Sequence, residues 1–220
     1  MQEPSNLLPL SSSQREALEE AVATYQAAAT PAAARWLEAR GIAPETADGA
    51  RLGVTVNPAP GHERYRGFLS IPYLSREGAP LSIRFRCLQN HDCRANGHGK
   101  YLTVPGDVPR MYNIGALFDA GNEIHVTEGE FDALILNQIG LPAVGIPGAN
   151  SWKPHHRIML LGFSRVWVWG DPDPAGAEFV NTVTASLRQA RGVRLRGGDV
   201  TDTYLAGGAE ALLELVGGMK

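Results

Sequence analysis

The residues best suited to chemistry form two acidic clusters. Glu128-Gly129-Glu130-Phe131-Asp132 follows the apolar run Ile124-His125-Val126-Thr127, and Asp171-Pro172-Asp173-Pro174-Ala175-Gly176 follows Val166-Trp167-Val168-Trp169-Gly170. Each pattern reads as a strand that ends in carboxylates and is followed by a helix. Carboxylates at the exits of neighbouring strands make a hard-oxygen site suited to Mg²⁺. Such a site suits phosphoryl or nucleotidyl transfer.

Each acid also has a plain structural reading. Glu128 and Asp132 are four residues apart, at a strand exit and in the following helical turn, so they can face one cavity. Acids there are equally stabilised by the helix dipole and the free N–H groups. Asp171 and Asp173 alternate, so in an extended turn they point to one side. The prolines after them remove backbone donors that would otherwise neutralise the pair, and a bound cation would relieve their repulsion. The alternative is a turn in which Asp173 caps a helix. Asp199 and Asp202, in Gly197-Gly198-Asp199-Val200-Thr201-Asp202, either join the acidic site or cap the next helix.

A second ligand set is Cys87, His91, Cys93 and His98. Four soft or borderline donors in one loop can hold Zn²⁺ tetrahedrally, although no C-x-x-C pair is present. The other reading is two reduced thiols and loop histidines. Lys153, His155, His156 and Arg157 either face nucleic acid or form a solvated helix start.

These groups need elements to position them. Ser13-Gln14-Arg15-Glu16 has the pattern of a capping box ahead of an alanine-rich helix ending near Ala29. A second helix starts at Pro31 and stops at Gly41, and a short one covers Pro44 to Ala50. Apolar runs at 52–56, 67–74 and 81–87 predict a small antiparallel sheet. Residues 88–99 form a loop. From Gly121, strands at 124–126, 143–146, 166–169 and 193–196 alternate with helices at 131–139, 155–161, 175–190 and 209–216. The pattern predicts a mostly parallel layered sheet with ligands at the strands' carboxyl ends. The fold class is therefore α/β, or α+β overall. A helical segment (1–50), a basic α+β subdomain (51–118), the parallel domain (119–205) and a C-terminal helix (206–220) are expected, with a flexible leader before Ser11.

The chain has 220 residues, 44% of them hydrophobic, and a net charge of −3. No bulk basic excess announces nucleic acid, but charge is unevenly placed. Residues 64–110 hold eight basic and three acidic side chains, and the remainder twelve basic and twenty acidic. A positive segment ahead of an acidic site suits an enzyme that handles polyanions. Two cysteines imply no disulfide framework, so a reducing cytoplasm is the expected compartment. No stretch has the pattern of a signal peptide or a membrane span.

The ordered motifs resemble a known family. Glu-Gly-x-x-Asp followed by Asp-x-Asp-x-x-Gly resembles the TOPRIM fold of primases, topoisomerases and some nucleases. Ala34-Arg35-Trp36-Leu37-Glu38-Ala39-Arg40-Gly41-Ile42, Arg51-Leu52-Gly53, Arg66-Gly67-Phe68-Leu69-Ser70-Ile71-Pro72, Lys100-Tyr101-Leu102, Tyr112-Asn113 and Gly198-Asp199-Val200-Thr201-Asp202-Thr203-Tyr204-Leu205 resemble successive segments of the polymerase core of bacterial DnaG-type primases. The likeness spans residues 20 to 215. It implies that Glu128, Asp171, Asp173 and Asp199 bind Mg²⁺ or Mn²⁺, with Asp132 as a further catalytic acid. Arg66, Arg84, Arg86, Lys100, Arg110, Tyr112 and Asn113 would hold template phosphates and the ribonucleoside triphosphate. The resemblance implies single-stranded DNA as template and a replicative helicase as a partner. The family's zinc ribbon and helicase-binding region are not visible, so an excised core or a compact phage- or mobile-element-type primase is expected. A metal-dependent nuclease and a non-catalytic nucleic-acid-binding adaptor are the other readings.

Overall fold

A computed structural model describes residues 9–148 and 151–217. The N-terminal helices are α1 (Ser12–Ala27), α2 (Pro31–Glu38) and α3 (Pro44–Gly49). The capping box of α1 lies earlier than the sequence pattern indicated. Ser11 is the cap and Gln14 its reciprocal partner, with Ser11 N–H donating to Gln14 Oε1 at 2.9 Å. Glutamine at the third helical position closes this box as well as glutamate does. Thr30 caps α2, and Pro31 supplies its first turn.

A four-stranded antiparallel sheet follows, in the order β1 (Gly53–Val54), β2 (Leu69–Leu74), β3 (Pro80–Arg86) and β4 (Tyr101–Thr103). β4 was not expected, because three residues with little burial give a weak period-two signal. It exists through pairing: Arg86 lies opposite Tyr101 and Arg84 opposite Thr103.

After a short helix α4 (Ala116–Asp119) comes the second sheet. Its strands are β5 (Glu123–Thr127), β6 (Ala143–Gly145), β7 (Arg165–Trp169) and β8 (Ala190–Val193), connected through α5 (Glu130–Gln138), α6 (Pro154–Leu160) and α7 (Pro174–Ser186). All three pairings are parallel, and the spatial order is β6-β5-β7-β8. α7 is shorter than expected and β8 begins earlier, at Ala190 rather than Val193. The register explains the shift: Ala190 and Val193 lie opposite Val166 and Trp169 and are buried, while Arg194 and Arg196 are exposed. Sheet burial overrode the alanine's helix propensity.

The parallel sheet is buried on both faces, as such sheets must be. Ile124, Val126, Val166 and Val168 pack into one cluster with Phe179 and Val183 of α7. Trp167 and Trp169 pack into the other with Phe131, Leu134 and residues of β2. That second cluster joins the two sheets in one core. The tryptophan N–H groups are satisfied, donating to Glu123 at 2.8 Å and to His125 Nδ1 at 2.9 Å.

The last element, α8 (Val200–Gly217), begins earlier than the helix expected from 209. It breaks at Gly208, whose φ of 68° and ψ of −163° are non-helical. The Gly207-Gly208 pair thus marks a kink inside a longer helical segment rather than the loop before a new one. Part of the expected leader, Ala149 in the segment between β6 and α6, and residues 218–220 of the expected C-terminal helix lie outside the described residues. Among the described residues no helix is long and apolar enough to cross a membrane.

Candidate active site

The strand order fixes where a ligand can sit. β6 lies on one side of β5, and β7 with β8 on the other, so the chain reverses direction across the sheet between β5 and β7. In open parallel sheets the crevice beyond the strands' carboxyl ends at such a point is the natural ligand site. Thr127 and Trp169 are paired there. Glu128 and Asp171 therefore leave two adjacent strands side by side.

Glu128 ties the two exits together. Its Oε1 accepts the Asp171 backbone N–H at 2.9 Å. Gly176 makes this approach possible, since a Cβ there would lie 2.7 Å from Glu128 Oε1 and would also strike the Asp171 backbone. Asp173 is exposed and turns to α7: its carboxylate accepts the Gly176 N–H at 2.8 Å as the N-cap.

Asp132, in the first turn of α5, is buried and meets the start of α8. It accepts from the Thr201 hydroxyl at 2.9 Å and the Thr201 N–H at 3.2 Å. Asp199 and Asp202 form a reciprocal cap, with Asp202 N–H donating to Asp199 Oδ1 at 2.8 Å and Asp199 N–H to Asp202 Oδ2 at 3.4 Å. Gly198, at φ 146°, leaves room for the Asp202 carboxylate, which a Cβ would strike. The product is a carboxylate triad. One oxygen each from Asp132, Asp171 and Asp199 lies within 4.8 Å of the others.

Facing the triad is a basic wall on the antiparallel sheet. Arg84 and Arg86 alternate on β3 and so share a face. Their guanidinium groups lie 4.5 and 5.1 Å from the Tyr101 ring centroid. Arg84 pairs with buried Glu130 at 2.6 Å, and the Tyr73 hydroxyl donates to the same oxygen at 2.7 Å. Arg86 donates to the Cys87 carbonyl, while its Nε is buried with no hydrogen-bond partner among the described residues. Lys100 and Arg40 complete the rim. The cleft between the two walls measures about 300 Å³ and is lined by Arg40, Arg84, Arg86, Lys100, Glu128, Asp132, Asp171, Asp199 and Thr201.

Burial, and after it the crowding of like charge, shows in the protonation equilibria. Burial, then Asp199 and Asp171, push Asp132 up to about 7. Burial and the neighbouring Asp171 and Asp173 push Glu128 up to about 7, against the Asp171 N–H that favours its charged form. Asp171 is raised by burial and by Asp199, Asp173 and Asp202, with Lys100 opposing. Burial, Arg86 and Arg40 lower the Lys100 ammonium. Among the described residues no arginine pairs with Glu128, Asp132, Asp171 or Asp199, and the ion pair in the cleft is that of Arg84 with Glu130. An oxygen-rich, crowded anionic site of this kind fits a hard divalent cation, which would restore the charged carboxylates.

The structure places the expected residues unevenly. Glu128, Asp132, Asp171 and Asp199 share the cleft with Arg84, Arg86 and Lys100. Asp173 lies at the outer end of the same turn. Arg66 is exposed elsewhere and donates to the Val56 carbonyl at 2.7 Å. Arg110 sits 3.8 Å from Asp107 in a separate pocket beside Tyr73 and Ser82. Tyr112 is buried and bridges to Gly145. Asn113, at φ 56°, donates to the Ala143 carbonyl at 2.9 Å. Arg40, Tyr101, Glu130 and Thr201 enter the site without having been singled out as site residues. Arg40 and Tyr101 stood in quoted motifs, and Glu130 in the first acidic cluster, but only the tertiary fold brings them to the cleft.

A four-stranded antiparallel sheet joined through one core to a four-stranded parallel sheet, with acids at the switch point, is the fold of DnaG primase catalytic cores. The RNA polymerase domain of Mycobacterium tuberculosis primase DnaG aligns with a TM-score of 0.76 at 20% identity, covering 94% of this chain and 84% of that one. A DnaG primase catalytic domain solved bound to single-stranded DNA aligns with a TM-score of 0.71 at 20% identity, covering 92% and 77%. No protein-family model matches the chain. The chain belongs to the family of the Gene 57 protein of Mycobacterium phage D29, to which it is 40% identical over 157 residues, 69% of this chain and 99% of that protein.

Proposed function

We propose that the chain is a DNA primase, which synthesises short RNA primers on single-stranded DNA during replication. The observation that carries this reading is the cleft itself: the Asp132, Asp171 and Asp199 oxygens within 4.8 Å of one another, opposite Arg84, Arg86 and Lys100. The likeness to DnaG cores, including one solved with single-stranded DNA, supports the same assignment. Bound Mg²⁺ or Mn²⁺ would supply activation of a 3′-hydroxyl and charge stabilisation of the pyrophosphate leaving group.

In this reading Asp132, Asp171 and Asp199 hold the divalent ions. Glu128 fixes the Asp171 backbone and presents its other oxygen to the same space. Thr201 orients Asp132. Arg86 and Lys100, which line the cleft, receive triphosphate or template phosphates. Arg84 is held rigid by Glu130 and Tyr73, so it offers a fixed rather than a searching positive charge. Template contact runs mainly to phosphates and stacks little sequence information into the site.

A TOPRIM-type nuclease would use the same acids to activate water. Incubation with single-stranded DNA, labelled ribonucleotides and Mn²⁺ separates the two. Ribonucleotide incorporation that depends on template is the expected result. Degradation of the DNA without incorporation would replace the primase reading with the nuclease, and neither activity, in Mn²⁺ or in a parallel Mg²⁺ incubation, would favour the adaptor.

A further inference from the structure

The loop between β3 and β4 is unusual in its donors. Among the described residues Cys87, His91, Cys93 and His98 place one donor atom each within 4.8 Å of one another. Their spacing is C-x₃-H-x-C-x₄-H, and none belongs to the acidic cleft. Cys87 Sγ and His91 Nε2 are 3.5 Å apart. A tetrahedron with Zn–S of about 2.3 Å and Zn–N of about 2.0–2.1 Å has edges of roughly 3.3–3.8 Å. One edge therefore already has the right length, and the others are no longer than 4.8 Å.

The surroundings are those of a prepared ligand set. His98 Nδ1 lies 3.0 Å from the Gly99 carbonyl. A ring N–H donated to that carbonyl fixes the tautomer and leaves Nε2 as the ligating nitrogen. His91 and His98 have ring centroids 5.1 Å apart. The loop has no strand or helix of its own. It is held by an Asx turn, with Arg94 N–H donating to Asp92 Oδ1 at 2.9 Å, and by His98 N–H donating to the Cys93 carbonyl at 3.0 Å. No disulfide joins the cysteines. Two thiolates and two neutral imidazoles match zinc in charge and softness.

We propose that Cys87, His91, Cys93 and His98 form a structural Zn²⁺ site, separate from the catalytic acids. The site is closed, with four protein ligands and no position for water, so it serves structure and not catalysis. Its place in the fold sets its role. Cys87 directly follows Arg86, and its N–H donates to the Lys100 carbonyl at 3.0 Å. Zinc would lock the loop whose two ends present Arg86 on one side and Lys100 and Tyr101 on the other. It thus acts as a positioning device for the basic wall.

The test is metal content and ligand-field spectroscopy on the full chain. Protein expressed with added zinc and dialysed against metal-free buffer is expected to retain a single equivalent of zinc. Reconstitution with Co²⁺ is expected to give the intense visible bands of a tetrahedral site and a thiolate charge-transfer band. Cys93→Ser should lose both signatures. Because a cysteine variant can misfold, His91→Gln at an exposed position is the second probe, with circular dichroism as the folding control. Loss of tetrahedral cobalt absorption in folded His91→Gln supports the site. Asp171→Asn, in the acidic cleft, should keep the zinc, so this result stands whatever the outcome for primer synthesis. Zinc-free wild-type protein, an octahedral cobalt spectrum, or full zinc retention in both loop variants would overturn the proposal.

Discussion

Asp173 shows how one carboxylate can serve two roles, and how substitution can separate them. It caps α7 through the Gly176 N–H, yet its charge also reaches Glu128 and Asp171. Asparagine is as good a cap as aspartate, whereas alanine costs about 1 kcal/mol. Asp173→Asn is therefore expected to unfold in denaturant like wild type. Because its charge adds to the field at the acids beside it, loss of that charge should nonetheless lower primer synthesis roughly 10- to 100-fold, with single-stranded DNA binding nearly intact. Normal synthesis by a normally stable Asp173→Asn would leave it a cap alone. Asp171→Asn is the reference, since the Asp171 carboxylate belongs to the triad and caps nothing. Glu130 has a different part. It is the buried partner of Arg84 and Tyr73, and Glu130→Ala strands a guanidinium that is largely enclosed. A loss of about 3 kcal/mol in denaturant unfolding is expected, larger than the loss of about 1 kcal/mol for Tyr73→Phe. Equal small losses would show that Arg84 finds solvent readily.

The strands and helices that carry these residues were legible to different degrees, for physical reasons. β5 and β7 were read closely because both faces are buried, which leaves a dense apolar run bounded by acids and glycine. From that pattern the convergence of Glu128 with Asp171 followed. The third arm of the triad was harder. Asp199 reaches the cleft because β8 starts at Ala190 and α8 at Val200, and the sequence pattern had displaced both. Ala190 looked helical, and the last helix was expected only from 209. The basic wall was legible as charge but not as geometry. Arg84 and Arg86 share a face because of β3 register, while Arg66, close to them in sequence, projects from a turn and bonds to Val56. This difference predicts a difference in salt dependence. Lys100→Ala should reduce the slope of log affinity against log salt for single-stranded DNA by about 1. Arg66→Ala, outside the cleft, should leave the slope unchanged. The reverse ranking would place the template path on the Val56 side. Gly176 adds a geometric check on the same assembly. Gly176→Ala inserts a methyl against Glu128 and the Asp171 backbone, so activity should collapse even if the helix survives.

Taken over the full chain, the acidic site makes folding depend on protons, and in the proposed reading on metal as well. Asp132 and Glu128 are each raised to about 7 in the fold, against about 4 in the unfolded chain. Between those values the folded state binds more protons than the unfolded one. Stability of the metal-free protein must then fall as pH rises from about 4 to about 7, and level off above. The protonated acids favour the fold, and this contribution is lost as pH climbs through their folded values. A divalent cation reverses the balance by favouring the charged carboxylates. It should stabilise little near pH 5, where it competes with protons, and most near pH 8. Thermal unfolding across this range, in chelator and in Mn²⁺, reads the effect directly. The Tm in chelator should decline with pH, and the gain from Mn²⁺ should widen over the same interval. Asp132→Asn, which removes one of the two titrating acids and one ligand, should flatten both curves. Zinc in the β3–β4 loop would also gain affinity as its thiols and imidazoles deprotonate, so the same scans of folded His91→Gln, which lacks a zinc ligand, isolate the carboxylate signature. A Mn²⁺ gain that is constant across pH would mean the cation binds somewhere other than among Asp132, Asp171 and Asp199, and with it the catalytic assignment of the cleft would fall.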